Sequence, residues 1–293
     1  STLTLPLGAS DDGTCVAFSG VFQGNGHSIK GLKMSDKRNG AYWDAGLFCS
    51  LMNATIENLV IDSSCSFTGY SAGALSVYVE GSLTVTNITN NAAVRGSLGV
   101  GGFIGDVQYL EQPSVISFEH CTNSGTITGE QGSVGGFVSS IFHNMVMTIS
   151  NSINNGDING WYVGGFIGSF SDNTSMTIVN SINNGNTTGS DIAAGFVGEI
   201  YSSESDSKTL EIMNSANKGS VLAERMACGL FCVNKKNMNV KTTIKNSINK
   251  GSVNATTNGY GITNIITEAR NVVSMGDVTG PSGSYTFWNA STD

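Results

Sequence analysis

The stretch Asn151–Gly168, NSINNGDINGWYVGGFIG, recurs in similar copies along the chain. Copies of it start at anchor positions that carry Asn or His: Asn58, Asn87, His120, Asn151, Asn180, Asn214, Asn246 and Asn271. The steps between these anchors are 29, 33, 31, 29, 34, 32 and 25 residues. A period of this size is typical of stacked repeats that contact only their neighbours. The 293 residues therefore predict one solenoid and not two globular domains.

Each repeat contains strand-like segments separated by turn residues. In the repeat quoted above they are Met147–Asn151, a short strand near Ile158, and Tyr162–Gly168, with Gly-containing turns between them. No segment repeats its apolar residues near a period of 3.6, as an amphipathic helix would. Three strands per turn predict an all-β fold, a right-handed parallel β-solenoid (β-helix) whose coils stack at about 4.8 Å.

Equivalent positions in successive repeats carry the same residue types. Asn recurs three residues after the anchor, at Asn90, Asn123, Asn154, Asn183, Asn217 and Asn249. Gly recurs two residues later, at Gly125, Gly156, Gly185, Gly219, Gly251 and Gly276, and mostly β-branched residues recur two beyond that, at Ile127, Ile158, Thr187, Val221, Val253 and Val278. We expect a structural ladder of amides at a corner, Gly with positive φ there, and a β-branched column in the core. A second apolar column is predicted from Phe103, Phe137, Phe166, Phe196 and Leu230.

The two ends of the chain depart from the repeat. Residues 1–52 are predicted to form an N-terminal cap and the first coil, in which Gly24–Gly26 marks a tight turn between two strands. Residues 53–280 form the repeat solenoid, with coils of about 30 residues. Residues 281–293 are predicted to be an aromatic C-terminal cap built on Tyr285–Trp288, because a solenoid end must be covered.

Several motifs resemble a known family. They are Phe22–Leu32 (FQGNGHSIKGL), Gly46-Leu-Phe, and the later units of the form Asn-x-Gly-x-Ile-x-Gly and Val-Gly-Gly-Phe-Ile-Gly. From about residue 19 to residue 280 the chain is similar to the GLUG-motif repeat proteins. That resemblance implies a β-helix of the pectate-lyase type and a place in large secreted or surface proteins, including adhesins.

Composition excludes some classes of function. The net charge is −8 with Lys scattered along the chain, which does not match a nucleic-acid-binding surface. No apolar run is long enough to span a membrane, and the N-terminus STLTLPLGAS lacks an initiator Met and a signal peptide, which indicates a mature product or an excised fragment.

Two kinds of covalent modification are open on the sequence. The even number of cysteines allows up to three disulfides, or buried free thiols, among Cys15, Cys49, Cys65, Cys121, Cys228 and Cys232. Possible N-glycosylation sequons begin at Asn53, Asn87, Asn173, Asn186, Asn254 and Asn289, a number that chance gives in a chain this rich in Asn, Ser and Thr.

Catalysis is disfavoured by the spacing of the acids. Asp106 and Glu199 occupy one column but are three coils, or about 14 Å, apart, whereas polysaccharide-cleaving sites need carboxylates within about 10 Å. His27 is expected to make a capping hydrogen bond on a turn rather than to act as a base, His120 to substitute for the amide of the anchor column, and His143 has no evident catalytic partner. No metal-ligand spacing or phosphate loop is present in the sequence, so we expect no cofactor and no metal.

The sequence thus predicts a non-catalytic β-solenoid, extracellular or on a cell surface, that acts in adhesion or as a building block of an extracellular fibre or coat. The expected partners are other copies or further repeats of a longer chain, or host or matrix glycans and proteins. The alternatives are a β-helix that binds or degrades polysaccharide and, less favoured, an ice-binding protein, because Thr84-x-Thr86, Thr126-x-Thr128 and Thr187-Thr188 do not align into one Thr-x-Thr face.

Overall fold

The computed structural model describes residues 5–35, 37–38, 41–42, 44–107, 113–142, 144–171, 173–201, 207–234 and 239–280, with the backbone alone for 37–38 and 41–42. His143, Asn289 and the predicted aromatic cap, 281–293, lie outside these residues. Throughout the described part of the chain the regular structure is β-strand.

The strands follow one another in short segments. The first are β1 (Phe18–Ile29), β2 (Lys33–Met34), β3 (Lys37–Arg38), β4 (Ala41–Tyr42), β5 (Phe48–Ile61), β6 (Ser66–Gly69), β7 (Ala72–Gly73), β8 (Ser76–Val79), β9 (Leu83–Asn90), β10 (Ala93–Gly96), β11 (Val100–Gly101) and β12 (Ile104–Val107). The next are β13 (Ser114–Glu119), β14 (Thr122–Asn123), β15 (Ile127–Gly129), β16 (Ser133–Gly135), β17 (Val138–Ile141), β18 (Met145–Ser150), β19 (Ile153–Asn154), β20 (Ile158–Gly164), β21 (Ile167–Phe170), β22 (Ser175–Val179), β23 (Ile182–Asn183) and β24 (Thr187–Ala194). The last are β25 (Val197–Ile200), β26 (Lys208–Met213), β27 (Ala216–Asn217), β28 (Val221–Ala223), β29 (Met226–Cys228), β30 (Phe231–Val233), β31 (Val240–Asn249), β32 (Val253–Ala255), β33 (Asn258–Tyr260), β34 (Glu268–Ser274) and β35 (Val278–Thr279).

These strands form two long sheets that wind together. One sheet has 19 strands and the other 14, and a separate antiparallel pair joins β3 to β4. The coil around Asn151 shows the pattern: β18 and β19 lie in the first sheet, β20 in the second, and β21 again in the first. Each strand pairs in parallel with its equivalent one coil away, as β18 pairs with β22. The predicted all-β parallel solenoid is confirmed.

The register of the coils follows the repeated letters. Asn154 pairs with Asn183, and Ile158 pairs with Thr187. The predicted Phe column lies in the core with fully buried side chains, and the rings of Phe137 and Phe166 are 4.8 Å apart between centroids. Identical residues one coil apart therefore stack, as the repeat predicts.

The predicted tight turn at Gly24–Gly26 is wrong. Strand β1 runs straight through it, and the pairing with β5 resumes at His27 after a register shift that begins at Gln23. Asn25 and Gly26 take positive φ, 51° and 74°, so the segment is a bulge. The chain does not reverse there because β5 offers parallel pairing partners on both sides of the bulge.

The glycine column does not have the predicted positive φ. Every anchor has a positive φ instead, from 48° at Asn214 and Asn246 to 55° at Asn58. Asn tolerates this left-handed conformation better than most residues with a side chain. Gly is needed two positions after the buried Asn for a different reason: a Cβ on Gly156 would lie 1.9 Å from the carbonyl oxygen of Gly125 in the adjacent coil.

Candidate functional site

The buried amides form a continuous ladder along the axis. Asn154 Nδ2 donates to Asn183 Oδ1 at 2.7 Å, and Asn183 Nδ2 donates to Asn217 Oδ1 at 2.8 Å. Each amide also donates to a carbonyl oxygen of its own coil, as Asn183 Nδ2 does to Gly185 at 2.9 Å. The ladder takes in all six predicted residues, which are fully buried: Asn90, Asn123, Asn154, Asn183, Asn217 and Asn249. Its polar atoms are used internally.

A second amide ladder runs along the solvent-exposed anchor column. Asn87 donates to Asn58 at 2.7 Å, and Asn271 donates to Asn246 at 2.9 Å. Within the described residues no hydrogen bond joins His120 to either neighbouring anchor, although its φ of 53° matches theirs. His120 thus shares the backbone conformation of the column but does not substitute for its amide, and the side-chain ladder is interrupted there; its Nδ1 lies 3.7 Å from a Glu119 carboxylate oxygen.

A ladder of buried serines was missed in the sequence. Each hydroxyl accepts the backbone N–H of the equivalent residue in the preceding coil, as Ser181 Oγ does from Ser152 at 3.2 Å. The same hydroxyl donates to a carbonyl of its own coil, at 2.8 Å for Ser181 and Val179. The column is Ser152, Ser181, Ser215 and Ser247. The sequence contains the pattern that marks this column, because Ser follows the anchor in Asn-Ser-Ile-Asn and Asn-Ser-Ala-Asn.

Asp106 lies in strand β12, in a column of polar residues that runs through successive coils. It pairs in register with Tyr78, and the Ser140 hydroxyl donates to its Oδ1 at 2.7 Å. Burial raises the pKa of Asp106 to about 6, against the opposing effect of the Ser140 hydrogen bond. Tyr78 donates to Asp44 Oδ2 at 2.6 Å, and burial followed by this carboxylate raises the pKa of Tyr78.

Glu199 lies further along the same column in a hydrogen-bonded cluster of four side chains. The Asn234 amide donates to Glu199, Arg225 donates to the Asn234 Oδ1 at 3.0 Å, and Arg225 makes a bidentate pair with Asp191 at 2.6 and 2.9 Å. Burial raises the pKa of Glu199 to about 7, while the Asn234 hydrogen bond and the Arg225 charge oppose the rise. A carboxyl of this kind can hold or release a proton near neutral pH.

The two carboxylates are not neighbours. Ser140 and Ser169 pair with each other and occupy the intervening coils, and Ser169 pairs with Glu199. Three steps of about 4.8 Å separate Asp106 from Glu199, as the sequence predicts. That spacing does not bring the pair together across one sugar linkage.

The cysteines divide between the two alternatives. Cys15 is bonded to Cys49, which fastens the N-terminal segment to β5, and Cys228 is bonded to Cys232 within one coil. Cys65 and Cys121 are buried free thiols. Burial raises the pKa of Cys121 to about 12, which keeps its thiol protonated and unreactive.

The sequons differ in whether the side-chain nitrogen that would carry a glycan is already used. The Nδ2 atom of Asn87 donates to Asn58, so this sequon is part of the outer ladder. Asn53, Asn173 and Asn186 lie on the surface, and Asn254 is half-buried. Asn186 accepts hydrogen bonds from Ser220, and Asn254 accepts one from Thr279, both through Oδ1, which leaves the nitrogen outside those contacts.

The described residues contain no group of three or more His, Cys, Asp or Glu side chains arranged to hold a metal ion. They also contain no helix that is long and apolar enough to cross a membrane.

Comparisons with known proteins give similarity to parts of two molecules. No family model matches the chain, so the GLUG resemblance has no matching family model behind it. Over 92 residues, 31% of this chain, the sequence is 38% identical to halomucin from Haloquadratum walsbyi, of which that segment is 1%. The crystal structure of a putative immunoglobulin A1 protease from Bacteroides ovatus is similar with a TM-score of 0.58 and 21% identity, covering 76% of this chain and 67% of that one. The structural similarity shows the β-solenoid fold alone.

Proposed function

We propose that the chain is a non-catalytic β-solenoid module of the cell exterior, acting in adhesion or as a building block of an extracellular fibre or coat. The observation that carries this proposal is the coil-to-coil register of the Asn ladders. The repeated polar residues bond to their own kind in the adjacent coil and hold a rod together, and such a rod lengthens by adding coils.

Two observations support the proposal, one for a location outside the cell and one for a module of a longer assembly. The Cys15–Cys49 and Cys228–Cys232 disulfides are of a kind that persists in oxidising environments and is rare in a reducing cytosol. The match to a segment of halomucin also supports the proposal, since halomucin is a far longer protein of which this sequence resembles a small part.

Imaging on the native source tests the proposal. An antibody against the folded chain, applied to intact cells and to their medium, should label the cell exterior or extracellular filaments under the electron microscope. Peptide mapping without reduction should recover both disulfides from the same material. Label confined to the cell interior, with all six cysteines reduced, would remove the proposed location.

A second function, cleavage of polysaccharide, is favoured by Glu199, whose pKa of about 7 suits a general acid and which lies near Arg225. Incubation of the folded chain with pectic and glycosaminoglycan polymers tests it. We expect neither new reducing ends nor unsaturated products. Product formation that disappears in Glu199→Gln would replace the non-catalytic proposal with an enzymatic one.

A further inference from the structure

Three large apolar side chains lie exposed along one corner of the second sheet. They are Tyr70, Leu98 and Trp161, with exposed fractions of 50%, 42% and 43%, and we call them the ridge. The corner is a stack, because the Leu98 N–H donates to the Tyr70 carbonyl one coil away and the Tyr162 N–H donates to Gly132. Tyr70 and Leu98 occupy adjacent coils and Trp161 follows two coils later.

A column of polar side chains runs parallel to the ridge. Thr68 pairs with Arg95, Arg95 with Thr128, and Thr128 with Asn159, so each coil contributes one hydrogen-bonding group. We call these four residues the polar column. Beside the ridge a shallow cleft of about 160 Å³ is lined by Thr68, Gly69, Arg95, Gly96, Ser97, Thr128 and Glu130.

The charges of the cleft balance. Arg95 and Glu130 contribute one charge of each sign, and the Ser97 hydroxyl donates to Glu130 at 3.3 Å. An uncharged ligand fits this surface better than the acidic polymers that a row of cations would attract. The chain as a whole has a net charge of −8, which also disfavours a polyanion.

An exposed aromatic ridge beside a row of donors and acceptors matches the two-sided chemistry of a sugar chain. The C–H faces of sugar rings pack on aromatic and aliphatic surfaces, and their hydroxyl edges need hydrogen-bonding partners. The coil rise of about 4.8 Å is similar to the advance of one sugar in an extended β-linked chain, so each successive sugar would lie beside a polar side chain of the next coil. We propose that the ridge and the polar column bind a neutral β-linked glycan laid along the solenoid axis.

The next coils limit the length of this surface. At the same corner the Arg225 N–H donates to the Asp191 carbonyl, and the two side chains form their bidentate ion pair. Beyond Trp161 the corner therefore carries an ion pair in place of an exposed apolar side chain. The glycan would span about the four coils from Tyr70 to Trp161.

Titration with defined oligosaccharides tests the inference. Hexamers of β-1,4-linked glucose and of β-1,4-linked N-acetylglucosamine are added to the folded chain, and binding is followed by calorimetry and by tryptophan fluorescence. We expect saturable binding of at least one hexamer. Trp161→Ala and Leu98→Ala should each weaken it about tenfold. Leu222→Ala is the control for Leu98→Ala, because Leu222 is 49% exposed on the same sheet, in line with the polar column but two coils beyond Asn159, and it should leave the affinity unchanged.

Three results would overturn the inference: no binding of either hexamer at millimolar concentration, binding that Trp161→Ala and Leu98→Ala leave intact, or preferential binding of polygalacturonate or of peptides. The glycan site rests on the proposed function, since an adhesive module needs an external ligand. The two are separated by measuring attachment to the native surface with the same variants. Attachment by a wild-type chain that binds neither hexamer removes the glycan site and leaves adhesion standing. Hexamer binding by a wild-type chain that does not attach to the native surface keeps the glycan site and removes adhesion.

Discussion

At the scale of the residue, the hydrogen bonds that an Asn side chain makes depend on whether it faces the core or the solvent. Asn183 is buried and makes hydrogen bonds to both neighbouring coils. Asn184, the next residue, is exposed and donates to Asn155 at 2.8 Å. The two are adjacent residues of the same type, so they form a matched pair for mutation.

Asn183→Ala should lower the free energy of unfolding by about 3 kcal/mol, because it breaks the ladder and leaves the Gly185 carbonyl and the neighbouring amides with unmet hydrogen bonds in the core. Asn184→Ala should cost less than about 1 kcal/mol, since water replaces its partner. Urea unfolding followed by circular dichroism compares the two variants. Equal costs would show that the buried amide ladder adds no more stability than an exposed amide pair.

Stability should depend on pH through Glu199. Its pKa rises from an ordinary 4.5 to about 7 in the folded state, so the folded chain keeps a proton that the unfolded chain releases. The free energy of unfolding should therefore fall as pH rises from about 4.5 to about 7, by on the order of 2–3 kcal/mol. Unfolding midpoints of the wild type and of Glu199→Gln, measured across this range, should converge at low pH and separate towards pH 7. Parallel curves would contradict the shifted pKa.

The glycine column separates close packing from backbone strain. Gly156→Ala should be destabilising by about 3 kcal/mol or more, because its Cβ meets a backbone oxygen that cannot move without separating two coils. Gly26→Ala is the control: its φ is 74°, but nothing lies within 4 Å of the added Cβ. That change should cost only the left-handed strain, about 1–2 kcal/mol. A larger loss for Gly26→Ala in thermal unfolding would contradict the assignment of close packing to this column.

At the scale of the element, the sequence predicts the strands and pairings that recur in every repeat, but not the features that occur only once. The pairing of strand β20 with β24 follows from the repeat, because Ile158 and Thr187 occupy equivalent positions in successive repeats. The bulge in β1 was mistaken for a turn because Gly-Asn-Gly suits both, and only the pairing with β5 on either side decides between them.

The cluster around Glu199 shows the same limit at the candidate site. Arg225, Asn234 and Asp191 each occur once in their columns, so no repetition marks them. Their contact depends on the turn between β29 and β30, and the spacing of residues along the sequence does not give the geometry of that turn. The ridge was missed for the same reason, since Tyr70, Leu98 and Trp161 share a corner without sharing a residue type.

At the scale of the whole molecule, the coils should be interchangeable units. Deleting residues 151–179 removes one complete repeat and joins Ser150 to Asn180, so the remaining strands can pair in their old register. We expect this variant to keep a β-sheet spectrum and cooperative unfolding, whereas deletion of 151–165 removes half a coil and should abolish both. Similar behaviour of the two variants in circular dichroism and thermal unfolding would argue against independent, stackable coils.

Disulfide trapping examines the stacking itself. Thr148 and Thr177 are outward-facing partners one coil apart, and Val179 pairs instead with Ser150. Adjacent parallel strands lie about 4.8 Å apart, within the Cα separation that a disulfide accepts, while the diagonal position is beyond it. Under mild oxidation the Thr148→Cys, Thr177→Cys double variant should form the new disulfide, seen by peptide mapping, and Thr148→Cys with Val179→Cys should stay reduced. Bonding in the diagonal pair with none in the aligned pair would show that the repeated letters do not stack one coil apart.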